Sequence, residues 1–373
     1  MIPKPFFRRP CRINPQTFLG PTKSGFGVRP KPHVAICVGA LIALAGQAQS
    51  KEEALPDHFV ELAWAYAIET EPNPPFEDHG GTYGLPGTSK RFNREQIIGA
   101  KDGKKFQTAP ADWFPQDHPE MPEIYAYGDP DRKIIACALC HYPNGKGKAE
   151  NAPPAGQNKD YLVQQLLDFK NGLRKSAEPR KTNCQLMIDC AVGMTEEEIE
   201  AVSEYMASMA WTQWIQVVET DTVPKTRIRG GLHIPLEGGG AGTEPIGNRI
   251  IETPIHSYRT EFLRDPRAGF IAYVPPSSIE KGKELVHSGG GGVTPQCAIC
   301  HGPYLNGIAN VPGIAARSPS YMSRQLNDMK QGARKGTMSA LMDPVVQNLT
   351  SEDILNIVAY TASLSAPLPE HEK

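Results

Sequence analysis

"CALCHYPNG" (residues 137–145) and "CAICHGPYLNG" (297–307) are two versions of one motif, Cys-Ala-x-Cys-His, 160 residues apart. Each sets two cysteines three positions apart with a histidine directly after the second: Cys137, Cys140, His141, then Cys297, Cys300, His301. Three chemistries use cysteines at this spacing. A redox dithiol sits beside a βαβ pattern, and no such pattern occurs here. A zinc site needs four ligands, and neither motif has a second cysteine pair close by. Covalent haem attachment needs two thiols spaced for the two vinyl groups and a histidine held beside them for the iron, which is what Cys-x-x-Cys-His provides. Two copies point to two covalently bound haem c groups, with His141 and His301 as iron ligands.

The duplication reaches well beyond the motifs. "DYLVQQLLDFKNGLRK" (160–175) matches "SYMSRQLNDMKQGARK" (320–335) at the same offset. "MTEEEIEAVSEYMASM" (194–209) matches "LTSEDILNIVAYTASL" (349–364) at an offset of 155, so the first copy has gained five residues between Arg174 and Met194. Two long copies mean a repeated domain rather than a solenoid. Apolar residues recur every three or four positions through Ile199, Val202, Tyr205, Met206 and Met209, and through Ile354, Ile357, Tyr360 and Leu364. Both segments read as helices, with Thr195 and Ser351 as N-terminal caps ahead of acidic first turns. "SSIEKGKELVHS" (277–288) reads as a further helix feeding the second motif, and "DHFVELAWAYAIE" (57–69) as its counterpart for the first.

An electron-transferring low-spin iron takes a sixth ligand, often a methionine sulfur. Met187 and Met342 are related by the 155 offset and both precede the last helix by the same interval. Met338 has Asn183 at the corresponding position, and Met194 matches Leu349, so neither is favoured.

The rest of the chain bounds location and partners. Residues 1–48 contain seven basic and no acidic residues ahead of and around an apolar run, Val34–Gly46, followed by a small-x-small tripeptide. That pattern reads as a secretory signal and predicts a periplasmic protein. The run is short for a membrane span, and no later stretch is apolar enough for one. Without residues 1–48 the chain has 32 basic against 41 acidic side chains, a balance of about −9 in place of −2. An acidic surface argues against nucleic acid and for redox protein partners. The chain is rich in glycine and proline, 35 of each among 373 residues, and "LEGGGAGTEP" (236–245) lies in a joint over 211–276 that reads as irregular linker.

Cys-x-x-Cys-His, a following proline, "Y-L-x-x-Q-L-x-x-F-x-x-G-x-R", a methionine and a final helix with a central tyrosine together resemble the tandem dihaem class I cytochromes c of bacteria, the cytochrome c4 type. The resemblance covers about 131–210 and 277–365. It implies an all-α fold of two helical cytochrome c domains joined by a long irregular linker, and one-electron transfer in the periplasm. The expected division is signal 1–48, N-terminal extension 49–130, first domain 131–210, linker 211–276, second domain 277–365 and tail 366–373. Cys137, Cys140, Cys297 and Cys300 would hold the haems, with His141 and His301 proximal and Met187 and Met342 distal. Pro153 and Pro312 would supply the carbonyls that fix the proximal imidazoles, and Arg174 and Arg334 would pair with haem propionates.

The chain departs from this pattern in the segments 49–130 and 211–276. It also departs at Cys184 and Cys190, which bracket Met187 and are absent from the second copy. Two readings stand for those cysteines: a disulfide that stiffens the ligand loop, or Cys184 itself on the first iron. The function read from the chain is an electron carrier with no bond-making residues. The alternatives are a dihaem enzyme, such as a peroxidase or thiosulfate-type dehydrogenase, and a dedicated electron-transfer subunit of a dehydrogenase.

Overall fold

The computed structural model describes residues 61–366; the expected signal and the tail beyond 366 lie outside them. Both repeats are helical, as their apolar spacing requires. The first has helices Cys137–His141, Lys159–Lys170, Thr182–Gly193 and Glu196–Ser208, and the second has Ser278–Ser288, Ala298–His301, Pro319–Lys330 and Ser351–Ser363. The equivalent helices Lys159–Lys170 and Pro319–Lys330 each start on a side chain that satisfies free amides: Asn158 accepts from Asp160 N and Tyr161 N, and Ser318 from Tyr321 N. The last helices begin with reciprocal capping boxes, Thr195 with Glu198 and Thr350 with Asp353. Thr350 therefore caps in place of the expected Ser351, and it is Thr350 that the 155 offset relates to Thr195.

The five residues gained in the first repeat extend one continuous helix, Thr182–Gly193. The second repeat has only a 3-10 turn, Ser339–Met342, followed by a short helix, Asp343–Val346.

In the second repeat the first and last helices cross at Gly282. A Cβ there would lie 1.9 Å from Asn356 O and 2.7 Å from Tyr360 Cβ, so only glycine permits the approach. The first repeat solves the same problem differently. The short helix Glu123–Tyr127 presents Tyr125 to Tyr205 of the last helix, with ring centroids 4.6 Å apart. The expected counterpart within 57–69 lies elsewhere: its described helical turn, Ala63–Tyr66, packs on the second repeat, where Arg324 Nη1 donates to Ala65 O and Asn327 Nδ2 to Tyr66 Oη. Its alanine and aromatic residues meet the Pro319–Lys330 helix, a contact that helical periodicity alone does not specify.

The joint differs from the irregular linker expected. Phe270–Val274 pairs antiparallel with Ile251–Pro254 and parallel with Ile215–Glu219, and Thr226–Arg229 forms a hairpin with Leu232–Pro235. Phe270, Ala272 and Val274 alternate into the core, the two-residue period of a strand with one buried face. The joint packs against the N-terminal extension through Trp113, Phe114, Phe262 and Leu263; Trp113 Nε1 donates to Leu263 O at 2.8 Å. Together these added segments cover the first repeat.

The two repeats meet about a local pseudo-two-fold axis. Lys175 N donates to Ala333 O at 2.9 Å, and its equivalent Lys335 N donates to Leu173 O at 2.7 Å. Beside this bridge, Arg174 reaches Tyr321 Oη and Gln325 Oε1, while Arg334 reaches Tyr161 Oη and Gln165 Oε1.

Candidate functional site

Each Cys-x-x-Cys-His segment is a single helical turn that ends in left-handed backbone. The residue after His301 is Gly302, with φ of 84°; the residue after His141 is Tyr142, with φ of 60°. Tyr142 bears that conformation because its ring is fully buried and Tyr125 Oη donates to its carbonyl at 2.8 Å. The chain then turns back beneath the histidine. Nδ1 of His141 lies 2.9 Å from Ala152 O, and Nδ1 of His301 lies 2.8 Å from Pro312 O. A carbonyl can only accept, so each Nδ1 carries the proton and each Nε2 keeps a free lone pair. Burial lowers both imidazole pKa values and favours the neutral form a metal requires.

Pro312 therefore stands where it was expected, and Pro153 does not. Its place is taken by Ala152, the residue that the 160 offset relates to Pro312. The contact uses a backbone oxygen, so residue type did not mark it. The Pro153 carbonyl accepts instead from Arg317 Nη1 at 2.6 Å.

In the second repeat, Cys297, Cys300, His301 and Met342 line one cavity of about 380 Å3 together with Arg334, Met338 and Leu349. In the first repeat, His141 and Met187 line a cavity of about 130 Å3 whose wall also includes Arg174, Cys184 and Met206. Cys137 and Cys140 hold the helical turn that ends at His141. Burial raises the pKa of both, and pushes that of Cys297 up to about 11; all three are half-buried, whereas Cys300 is exposed. The second site thus brings together two thiols, a histidine with a free Nε2 and a thioether, a donor set that fits haem c; at the first, His141 and Met187 line the cavity while Cys137 and Cys140 lie on the adjoining turn and do not line it. Among the described residues no cluster of three or more His, Cys, Asp or Glu could hold a bare metal ion.

Cys184 and Cys190 do not form a disulfide. Both lie on the Thr182–Gly193 helix six residues apart, an axial rise of about 9 Å, whereas bridged Cα atoms lie within about 7 Å. Cys190 is buried with Sγ 3.9 Å from Lys133 O, and Cys184 faces the first cavity.

Arg174 and Arg334 are only 7% and 8% exposed, and among the described residues no carboxylate lies within ion-pair distance of either. Both face cavities, so each is a buried cation directed toward space that an anion would fill.

The surroundings of the two sites differ sharply. Ile299, Tyr304 and Ile308 are 70%, 78% and 52% exposed, and residues 288–316 contain no Asp, Glu, Lys or Arg. Their equivalents Leu139, Asn144 and Lys148 are all buried under the joint. Asn144 Nδ2 donates to Pro266 O at 2.9 Å, and Lys148 Nζ lies 2.9 Å from both Glu150 Oε1 and Glu261 Oε1. Nothing in the motif itself signalled this. The differences Tyr304/Asn144 and Ile308/Lys148 across the repeat are its visible traces.

The cytochrome c family profile matches residues 132–210 and 279–365. Over 68 residues the chain is 38% identical to cytochrome c-554(548) of Halomonas halodenitrificans, covering 18% of this chain and 82% of that one. It is 23% identical over 245 residues to the thiosulfate dehydrogenase electron acceptor of Stutzerimonas stutzeri, covering 65% of this chain and 85% of that one. It is also 21% identical over 239 residues to cytochrome c4 of Pseudomonas aeruginosa, covering 62% of this chain and 85% of that one.

Proposed function

The chain belongs to the cytochrome c family as a dihaem, cytochrome c4-like electron-transfer protein, and from that premise we propose that it is a periplasmic carrier that exchanges electrons with its partners through the haem of the second repeat. Each haem supplies a one-electron ferric/ferrous couple. Cys137 and Cys140 hold the first and Cys297 and Cys300 the second, with His141 and His301 proximal and Met187 and Met342 distal. Arg174 and Arg334, which line the cavities, would pair with the propionates. The periplasmic assignment rests on the signal-like sequence over 1–48. The division into a first domain over 131–210 and a second over 277–365 follows the repeat, with the described part of the N-terminal extension packing with 211–276 beside the first and its helical turn Ala63–Tyr66 on the second.

The observation that carries this reading is the contrast between the two motif faces: Ile299, Tyr304 and Ile308 open, their equivalents closed. Electron transfer needs close approach, and the second repeat offers an apolar, uncharged rim for it. The partner that fits is a redox protein with its own uncharged apolar face, so their association is insensitive to salt. A dehydrogenase is the donor class that accords with the role printed for the Stutzerimonas stutzeri relative. Changing Tyr304 and Ile308 to lysine tests the reading. Exchange with the partner slows while both potentials stay in place; unchanged exchange kinetics contradict it.

One observation favours a second reading. Cys184 lines the first cavity beside Met187, and a thiolate on the first iron would lower its potential and suit an enzyme. The Cys184→Ser variant separates the two: an unaltered spectrum leaves Met187 as the ligand.

A further inference from the structure

Gln157 and Arg317 occupy the same position in the two repeats, 160 residues apart, each directly before the residue that caps its long helix. Both are buried, and both leave their own repeat. Gln157 Nε2 donates to Gly313 O at 2.8 Å, and Gly313 N donates back to Gln157 Oε1 at 2.9 Å. Arg317 Nη1 donates to Pro153 O at 2.6 Å and to Ala155 O at 3.0 Å. Gly313 directly follows Pro312, whose carbonyl holds His301; Pro153 directly follows Ala152, whose carbonyl holds His141. The tethers therefore cross: each repeat's side chain grips the loop beneath the other repeat's histidine.

The two tethers differ in charge. Gln157 is a neutral two-point clamp. Arg317 is a guanidinium among carbonyl oxygens, with the Trp211 ring 3.9 Å away and no carboxylate in ion-pair range among the described residues. Burial pulls its pKa down to about 9, which still leaves it charged at neutral pH, in surroundings that screen the charge poorly.

We propose that Gln157 and Arg317 are exchanged positioning residues for electron transfer, each fixing the loop that orients the proximal histidine of the other repeat's haem, and that Arg317 also raises the potential of the first haem. This rests on His141 and His301 being the proximal ligands proposed above. The carbonyl bond to Nδ1 sets both the orientation and the basicity of a ligating imidazole, so a residue that pins the adjoining peptide acts on the iron through it. A positive charge near the first site favours the reduced, less positive state. Gln157 makes no such contribution at the second site, so one side-chain difference makes the two potentials unequal.

Both side chains border the larger, second-repeat cavity and neither lines the smaller one, so the competing outcome is that Arg317 acts on its own repeat's haem. A redox titration of the full dihaem protein decides between them, with the two one-electron steps assigned by the paramagnetically shifted NMR signals of the axial ligands. Arg317→Gln lowers the first haem's reduction equilibrium by about tenfold, about 59 mV for a one-electron couple, and leaves the second within about twofold. Arg317→Lys restores most of that loss because it restores the charge, a rescue that a packing role does not give. Gln157→Glu, which keeps shape and adds a negative charge, lowers the second haem instead. A shift confined to the variant's own repeat, equal shifts in both, or none overturns the proposal. If the shifted signals do not belong to His141 and His301, the ligand assignment itself has failed, and the spectra report that separately from the potentials.

Discussion

Replacing Lys148 with isoleucine, the residue at the equivalent position 308, should destabilise the protein in proportion to a buried charge cluster. Lys148 Nζ lies 2.9 Å from carboxylate oxygens of both Glu150 and Glu261, and all three side chains are 8% exposed or less. Burial alone works against the ammonium, but the two glutamates outweigh it and hold the Lys148 pKa above its usual value. One carboxylate oxygen, Glu150 Oε2, already lacks a hydrogen-bond partner. Removing the cation leaves two buried carboxylates facing each other. Breaking such a pair costs about 3–5 kcal/mol, of which the added apolar burial of isoleucine recovers only part. A net loss of about 3 kcal/mol in a chain of this length corresponds to a fall in Tm of roughly 4–5 °C. Glu261 belongs to the joint, so the loss should first appear as faster amide exchange over 257–268. The assay is thermal unfolding of the haem-loaded protein, with Lys148→Ile/Glu261→Gln as the second variant, which should recover part of the loss. A loss below about 1 kcal/mol, or no recovery in the double variant, would refute the idea that this cluster locks the cover to the first repeat.

The other expectations are direct. Gly282→Val drives a side chain into Asn356 O and should cost at least about 3 kcal/mol, read as early melting of the second repeat; a melt like that of the parent refutes the close crossing. Thiol labelling of the unfolded, unreduced protein should modify both Cys184 and Cys190, whereas two blocked cysteines would contradict the helix that separates them. Thr350→Ala should lose about 1 kcal/mol and Ser351→Ala almost none in denaturant titrations; the reverse order would move the cap back to Ser351.

Much of this architecture was legible because the chain states it twice. The 160 offset located both motifs and both long helices, and the 155 offset related Met187 to Met342 and Thr195 to Thr350. Residue type misleads where register decides: Ala152 rather than Pro153 holds His141, and Thr350 rather than Ser351 caps the last helix. The first contact uses a backbone oxygen that any residue carries, and the second a hydroxyl that threonine supplies as well as serine. The joint was harder to read. Its strands are short and interrupted by glycine and proline, and their alternation becomes meaningful only once Ile215–Glu219 and Phe270–Val274, fifty residues apart, lie side by side. The cover over the first repeat was hidden for the same reason, since Asn144 and Lys148 look like surface residues until Pro266 and Glu261 meet them. Gln157 and Arg317 were visible as an aligned pair, but only the docked repeats reveal that their contacts cross.

The pivotal measurement is the NMR spectrum of the oxidised dihaem protein alongside its Met187→Ala and Met342→Ala variants. Two sets of shifted thioether methyl signals are expected in the parent, with each variant losing one set and keeping the other. A set that survives both substitutions, or a parent with a single set, would contradict a histidine–methionine iron in each repeat.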